Sequence, residues 1–67
     1  MNVRVGDRVE AIYHMSNRGV VQEIYYVNVT AGTAAGSFSK MRRIKFLSEL
    51  DGKVHDMKAQ DLRVIRE

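Results

Sequence analysis

The chain has 67 residues, enough for one domain over residues 1–67. A domain of this size buries only about 60% of the surface that its unfolded form exposes. The sequence has no cysteine and only two histidines, so neither disulfides nor a structural zinc site are expected to support it. A net charge of +3 permits a polyanionic partner without requiring one.

No apolar run near the N-terminus has the length of a signal peptide, and no window of about 18 apolar residues predicts a transmembrane helix. We therefore expect a cytoplasmic protein that binds neither a membrane nor a metal, and no cofactor is expected. The hydrophobic content of 45% is typical of a folded domain.

The first predicted strand covers residues 7–13, where apolar side chains alternate with polar ones at period two. Val9, Ala11 and Tyr13 share one side of it. The following cluster, Ser16-Asn17-Arg18-Gly19, predicts a turn, because these residues tolerate positive φ or hydrogen-bond to their own backbone.

The second predicted strand covers residues 20–29, which are dense in Val, Ile and Tyr. It is long for one strand. A bulge near Gln22 and Glu23 would let both Val21 and Ile24 face inward, as a strongly bent strand requires. Residues 30–37 contain two glycines and no charge, and they predict a flexible loop.

The third predicted strand covers residues 38–47, with Ile44 and Phe46 on its inward face. The dipeptide Asp51-Gly52 then predicts a hairpin into a fourth strand over residues 54–58. Residues 59–61 suit one 3₁₀ turn, and residues 62–65 a closing strand. Together these elements predict an all-β fold, a small SH3-like barrel of five antiparallel strands. We expect seven side chains to seal its interior: Val9, Val21, Ile24, Ile44, Phe46, Leu62 and Val64.

Several segments in this order resemble the SH3-like barrels of the Tudor, KOW and chromo-barrel kind. They are Val5-Gly6-Asp7-Arg8-Val9, Gly19-Val20-Val21, Ile44-Lys45-Phe46, Asp51-Gly52 and Asp61-Leu62. The resemblance covers nearly the whole chain. It implies a fold more than a task, because this fold hosts many unrelated functions.

Tudor domains hold methylated Lys or Arg in an aromatic cage by cation–π attraction. The resemblance makes Tyr13 one candidate cage wall and Phe46 another. The aromatic residue usual in the following turn is absent, since Leu47-Ser48-Glu49-Leu50 stands there. The alternative is that Phe46 packs in the core and Tyr13 at the rim, and this alternative is preferred.

The Gly6-Asp7-Arg8-Val9 opening and the layout of the last third are also distantly similar to the plasmid-borne type II dihydrofolate reductases. Those enzymes line a shared pore with a Val-Gln-Ile-Tyr segment. This chain has Val54-His55-Asp56-Met57 at that place, so reductase activity is not expected.

An enzyme of any other kind is not expected either. His55 and Asp56 are neighbours on a strand and point to opposite faces, so they cannot pair directly. No serine has the flanking glycines of a nucleophile elbow. A barrel this small fills its interior with side chains and leaves no room for a catalytic cleft.

A basic strand is the first candidate site. Its cations would contact phosphates, and an adjacent tyrosine would stack on an unpaired base. The candidate residues for nucleic-acid binding are Lys40, Arg42, Arg43, Lys45, Tyr25 and Tyr26. By alternation Arg42 faces inward near the rim, and Arg43 and Lys45 face outward, where acids on the next strand would pair with them.

Contact with a protein is the other candidate function, and a homo-oligomer is its simplest form. Met41 and Leu47 are predicted to face outward, and Tyr13 lies at a strand end. Of the adjacent Tyr25 and Tyr26, at least one must be exposed on a regular strand. The sequence thus favours a non-enzymatic interaction module for a protein partner or a second copy, with DNA or RNA binding as the alternative.

Overall fold

A computed structural model of the protein describes residues 2–30 and 38–66, which form one antiparallel sheet of five strands. The strand order across the sheet is β4-β3-β2-β1-β5. The elements are β1 Arg8–Ala11, β2 His14–Thr30, β3 Phe38–Ser48, β4 Val54–Lys58, a 3₁₀ turn Ala59–Asp61 and β5 Leu62–Val64. The predicted all-β class, the five antiparallel strands and the 3₁₀ turn are confirmed.

The end strands β4 and β5 do not pair with each other in the part of the chain that the structure describes, so the sheet is open. No described helix is long and apolar enough to cross a bilayer. The predicted loop over residues 30–37 lies outside the described residues, apart from Thr30 at the end of β2.

The core forms on one face of the sheet, where β1, β2, β3 and β5 each contribute apolar side chains. Phe46, Ile44, Val9 and Val21 are the largest of its fully buried apolar side chains, and Leu62 is buried beside them. Of the seven side chains predicted to seal the interior, these five are buried, and the other two, Ile24 and Val64, pack against the cluster. Period-two alternation therefore predicted the inward-facing residues of β1, β2, β3 and β5.

A bulge interrupts the β2–β3 ladder where it was predicted. Val21 pairs with Phe46 and Glu23 with Lys45, so one extra residue, Gln22, is accommodated in β2. The ladder then continues through Ile24, which pairs with Ile44. Because the bulge adds one residue, Val21 and Ile24 both face the core.

The turn predicted at residues 16–19 is wrong. The chain reverses earlier, at Ile12 and Tyr13, and residues 16–19 lie inside β2. Gly19 serves a different purpose from a turn glycine: a Cβ placed on it would lie 1.8 Å from the Leu47 carbonyl oxygen. Its missing side chain allows β2 to approach β3 closely.

Asn17, the second residue misread as a turn former, belongs to a half-buried polar network. Ser48 Oγ donates to Asn17 Oδ1 at 2.6 Å, and Asn17 Nδ2 lies 3.2 Å from His55 Nδ1. His55 Nε2 in turn lies 2.9 Å from Asp51 Oδ2. The network ties β2 to β3, β4 and the turn that joins them, so Ser48 is buried yet hydrogen-bonded.

The β2–β3 hairpin extends past the rest of the sheet. β4 pairs with β3 only as far as Arg43, and β1 pairs with β2 only as far as Val20. We call residues 25–30 of β2 and 38–43 of β3 the arm. Over most of its length its two strands have only each other as described ladder partners, which fits a molecule 42 Å long and 19 by 17 Å across.

Replacing Gly19 with alanine should destabilise the fold strongly, by about 3 kcal/mol or more, because the new Cβ would collide with backbone that cannot move aside. Gly52→Ala is the comparison: Gly52 has φ of +71° but nothing within 4 Å, so its cost should be about 1 kcal/mol. Urea unfolding of both variants measures the difference. Equal costs would contradict the close approach of the two strands.

Candidate nucleic-acid interface

The positive charge of the protein resides on the β2–β3 hairpin. Residues 24–48 include four basic residues and no acidic residue, whereas the remainder of the chain has seven basic and eight acidic residues. The hairpin is therefore strongly basic, and the other elements are close to neutral. A net charge of +3 for the whole chain conceals this division.

The structure brings all six predicted nucleic-acid candidates together on this hairpin. Tyr25 pairs with Arg43, and Tyr26 pairs with Arg42, so each tyrosine lies directly across from an arginine. Lys40 is opposite Asn28 near the tip, and Lys45 lies at the base. Alternation divides the six between two faces: Tyr26, Lys40 and Arg42 share the face of Ile24 and Ile44, and Tyr25, Arg43 and Lys45 share the opposite face.

The face that carries Tyr25 is partly neutralised. The Tyr25 hydroxyl donates to Asp56 of β4, and Arg43 Nε lies 2.8 Å from the second oxygen of the same carboxylate. Lys45 Nζ lies 5.3 Å from the centre of the Tyr25 ring. The prediction that outward cations would pair with an acid on the next strand is confirmed for Arg43.

These contacts shift the pKa values of Tyr25, Arg43 and Asp56. The Tyr25 hydrogen bond holds the pKa of Asp56 below its usual value against the opposing effect of burial, and the Arg43 hydrogen bond and charge lower that pKa further. The hydrogen bond with Asp56 raises the pKa of Tyr25, with burial in the same direction, and it raises that of Arg43. Tyr25 is thus held by its hydroxyl at one end and covered by a cation on its ring.

The other face of the arm is open. Tyr26 is 61% exposed, and its cross-strand neighbour Arg42 borders a cleft of about 510 Å³. This cleft lies where β3 extends past the end of β4. It is lined by Val29, Lys40, Met41, Arg42, Lys58, Ala59 and Gln60. The prediction that at least one of the two tyrosines is exposed is confirmed.

Three of the acids outside residues 24–48 are engaged with partners away from the arm. Glu10 accepts from Arg63 Nε at 2.6 Å, and Glu49 accepts from Arg8 at 3.0 Å. The pKa of Asp51 is lowered, first by its hydrogen bond with His55 and then by one from a backbone N–H. These carboxylates therefore do not offset the charge of the arm.

The three predicted interface residues lie far apart. Met41 is half-buried on the arm, Leu47 is exposed near the other end of β3, and Tyr13 is 84% exposed in the β1–β2 turn. Leu47 has different apolar neighbours: it lies between Val20 of β2 and Val54 of β4, its cross-strand partners on either side. Val20, Leu47 and Val54 are each more than a third exposed, and we call these three residues the apolar row. Only the strand register reveals this row.

The structure also bears on the remaining chemistry. Phe46 is fully buried, so it packs in the core and cannot form the wall of an aromatic cage. His55 is engaged by Asn17 and Asp51, and Ser48 is buried. Among the described residues, no three His, Cys, Asp or Glu side chains are grouped to hold a metal ion.

No family model matches the chain, and no curated protein or solved structure matches it either.

Sequence reasoning missed Lys58 and Gln60, which complete the cleft from across the edge of β3. Lys58 is the last residue of β4 and Gln60 lies in the 3₁₀ turn that follows, and nothing local marks either as a ligand-binding residue. Their proximity to Lys40 follows from the Arg43–Lys58 pairing, which places the end of β4 beside the base of the arm.

Tyr25→Phe should raise the pKa of Asp56 toward its usual value, because it removes the largest stabilising contact of the carboxylate. A folded-state pKa below the unfolded one stabilises the protein above the unfolded value, near 3.9, and this contribution is lost as pH falls through the folded pKa. The variant should therefore lose less stability than the parent on acidification below about pH 4.

Carboxyl NMR titration of Asp56 and urea unfolding at pH 7 and pH 3 measure both effects. Tyr26→Phe, on the opposite face, is the control and should leave the Asp56 titration unchanged. An unaltered Asp56 pKa in the Tyr25 variant would contradict the assigned hydrogen bond.

Proposed function

We propose that the protein is a non-enzymatic module that binds nucleic acid through the arm. The observation that carries this proposal is that residues 24–48, which include the arm, have four basic residues and no acidic residue. Phosphate attraction supplies most of the affinity of such sites and does not depend on sequence. The open face adds an exposed ring, Tyr26, which an unpaired base can stack against.

The geometry favours nucleic acid over a protein partner as the ligand. All six nucleic-acid candidates lie on one hairpin, whereas the protein-interface candidates Tyr13, Met41 and Leu47 lie in separate places. Nucleic-acid binding, which was the alternative function on the sequence alone, is therefore the function that we prefer. A cytoplasmic location is part of this proposal.

The proposed architecture is an SH3-like barrel of the Tudor, KOW and chromo-barrel kind. Two features support it: the strand order with a 3₁₀ turn between β4 and β5, and a shared core. Every strand contributes to that core, through Val9, Val21, Ile44, Met57 and Leu62 in chain order. In this arrangement the sheet curls around its core while its end strands remain unpaired.

The absence of enzymatic activity is proposed on chemical grounds. The His55–Asp51 pair resembles part of a catalytic dyad. The two ring nitrogens of His55 are already occupied, however: Nδ1 contacts Asn17 and Nε2 contacts Asp51 in the β3–β4 turn. Ser48, the nearest hydroxyl of the network, is 1% exposed and cannot reach a substrate. The pair therefore has a structural explanation.

Self-association is a second candidate, favoured by the apolar row of Val20, Leu47 and Val54. The row crosses three adjacent strands, and Arg8, the β1 neighbour of Val20, forms an ion pair with Glu49 beside it. A cation and an anion at one border suit a two-fold contact, in which each meets its opposite on a second copy.

The nucleic-acid proposal predicts that labelled DNA or RNA oligonucleotides bind at low salt and that affinity falls steeply as salt is added. Replacing Lys40 and Arg42 together with glutamine should reduce the slope of log affinity against log salt by about 1.4 to 1.8, because two phosphate contacts are lost. Fluorescence anisotropy over a salt series measures this slope.

The matched control replaces Arg4 and Lys53 with glutamine, which changes the net charge equally but outside the hairpin. It should leave the slope nearly unchanged. If no single-stranded or duplex oligonucleotide binds at low salt, or if both double variants weaken binding equally, the arm is not the binding site.

The self-association candidate predicts a concentration-dependent dimer in sedimentation velocity, which Leu47→Glu should dissociate by placing a charge inside the contact. Tyr13→Glu changes a more exposed residue away from the row, and the dimer should persist in it. A protein that stays monomeric across the micromolar range would eliminate this candidate.

A further inference from the structure

The cleft beside the arm has the composition of an anion site. Three of its seven lining residues, Lys40, Arg42 and Lys58, are basic, and none is acidic. Gln60 adds an amide that can both donate and accept. The volume of about 510 Å³ falls within the range of small-ligand pockets, about 300 to 1,000 Å³. A cleft of this size is large enough for one nucleotide unit.

Both lysines of the cleft are available to a ligand. Neither Lys40 nor Lys58 forms an ion pair within the described residues, and both are exposed. Two lysines from different strands that converge on one cleft without an intervening carboxylate repel each other. A bound phosphate relieves this repulsion and accepts hydrogen bonds from both.

The two tyrosines of the arm differ in what they can do. Tyr25 is fixed by Asp56, with Lys45 over its ring. Tyr26 is exposed and lies across from Arg42, which also lines the cleft. Side chains directly opposite on antiparallel strands have Cβ atoms about 5 Å apart. A phosphate in the cleft and a base on Tyr26 are therefore within the reach of one nucleotide.

We propose that the arm binds single-stranded nucleic acid, with a backbone phosphate in the cleft between Lys40, Arg42 and Lys58 and the adjacent base stacked on Tyr26. This inference rests on the proposed function and specifies its ligand. Only an unpaired base exposes its face to a side chain, so a duplex would forgo the Tyr26 contact.

The test compares a short single-stranded oligonucleotide of mixed sequence with a duplex of the same sequence, by fluorescence anisotropy at low salt. The single strand should bind the parent protein more tightly. Tyr26→Leu should weaken single-strand binding about tenfold with little change in the salt slope, because stacking does not release counterions. Lys58→Gln should instead reduce the salt slope by about 0.7, the value for one phosphate contact to a single strand.

Two variants within the same chain serve as controls. Tyr13→Leu removes an exposed tyrosine at the opposite end of β2, and Lys53→Gln removes an exposed lysine in the β3–β4 turn. Neither should alter affinity or slope appreciably. Thermal unfolding of all four variants verifies that each is folded before binding is compared.

The outcomes separate this inference from the function on which it rests. If the duplex binds as tightly as the single strand and Tyr26→Leu has no effect, the inference fails and nucleic-acid binding through the arm stands. If Lys58→Gln and Lys53→Gln reduce the slope equally, the phosphate does not occupy the cleft. Absence of binding to either probe overturns both the inference and the proposed function.

Discussion

The single extra residue in β2 determines what each face of the arm presents. Up to Val21 the inward residues follow one parity, and from Ile24 onward they follow the other. Without the bulge at Gln22, continued pairing would bring Tyr25 opposite Arg42 and Tyr26 opposite Met41. A one-residue slip exchanges the two faces of a strand completely. The bulge therefore assigns Tyr25 to the side of Asp56 and Tyr26 to the side of Arg42.

The core and the outer-face contacts hold this register. Ile24 packs against buried Ile44 on one side of the hairpin, and the Tyr25–Asp56–Arg43 group joins β2, β3 and β4 on the other side. A one-residue slip of the ladder would place polar side chains on the apolar face and apolar side chains on the polar face, so both faces disfavour it. These register-fixing contacts matter most at the base of the arm, because beyond the base each strand has a single described ladder partner.

The sequence predicted the elements whose signal is local. Alternation predicted the inward-facing residues, Asp51-Gly52 predicted the β3–β4 hairpin, and the short Ala59–Asp61 segment predicted the 3₁₀ turn. Asn17 and Gly19 were misread because their local preference for turns competes with partners far along the chain. Asn17 meets Ser48 and His55, and Gly19 meets the Leu47 carbonyl, so tertiary contacts outweighed local propensity.

Neither the cleft nor the apolar row could be predicted from the sequence, because both depend on the register between strands that are distant in sequence. Lys58 lies near Lys40 because β4 ends opposite Arg43, and Leu47 lies between two valines because of its cross-strand partners. Pattern reasoning identifies which residues share a strand face. It does not identify which residues of another strand lie beside them.

The arm places the proposed binding residues away from the side chains that form the core. The fully buried side chains cluster where β1, β5 and β4 cover the hairpin, whereas Tyr26, Lys40 and Arg42 lie past that cover. A small domain has little stability to spare, and unpaired like charges within its core would be costly. On a projecting ribbon the ammonium group of Lys40, which is exposed, stays in contact with water. The chain can therefore carry a dense positive charge without weakening the core that positions it.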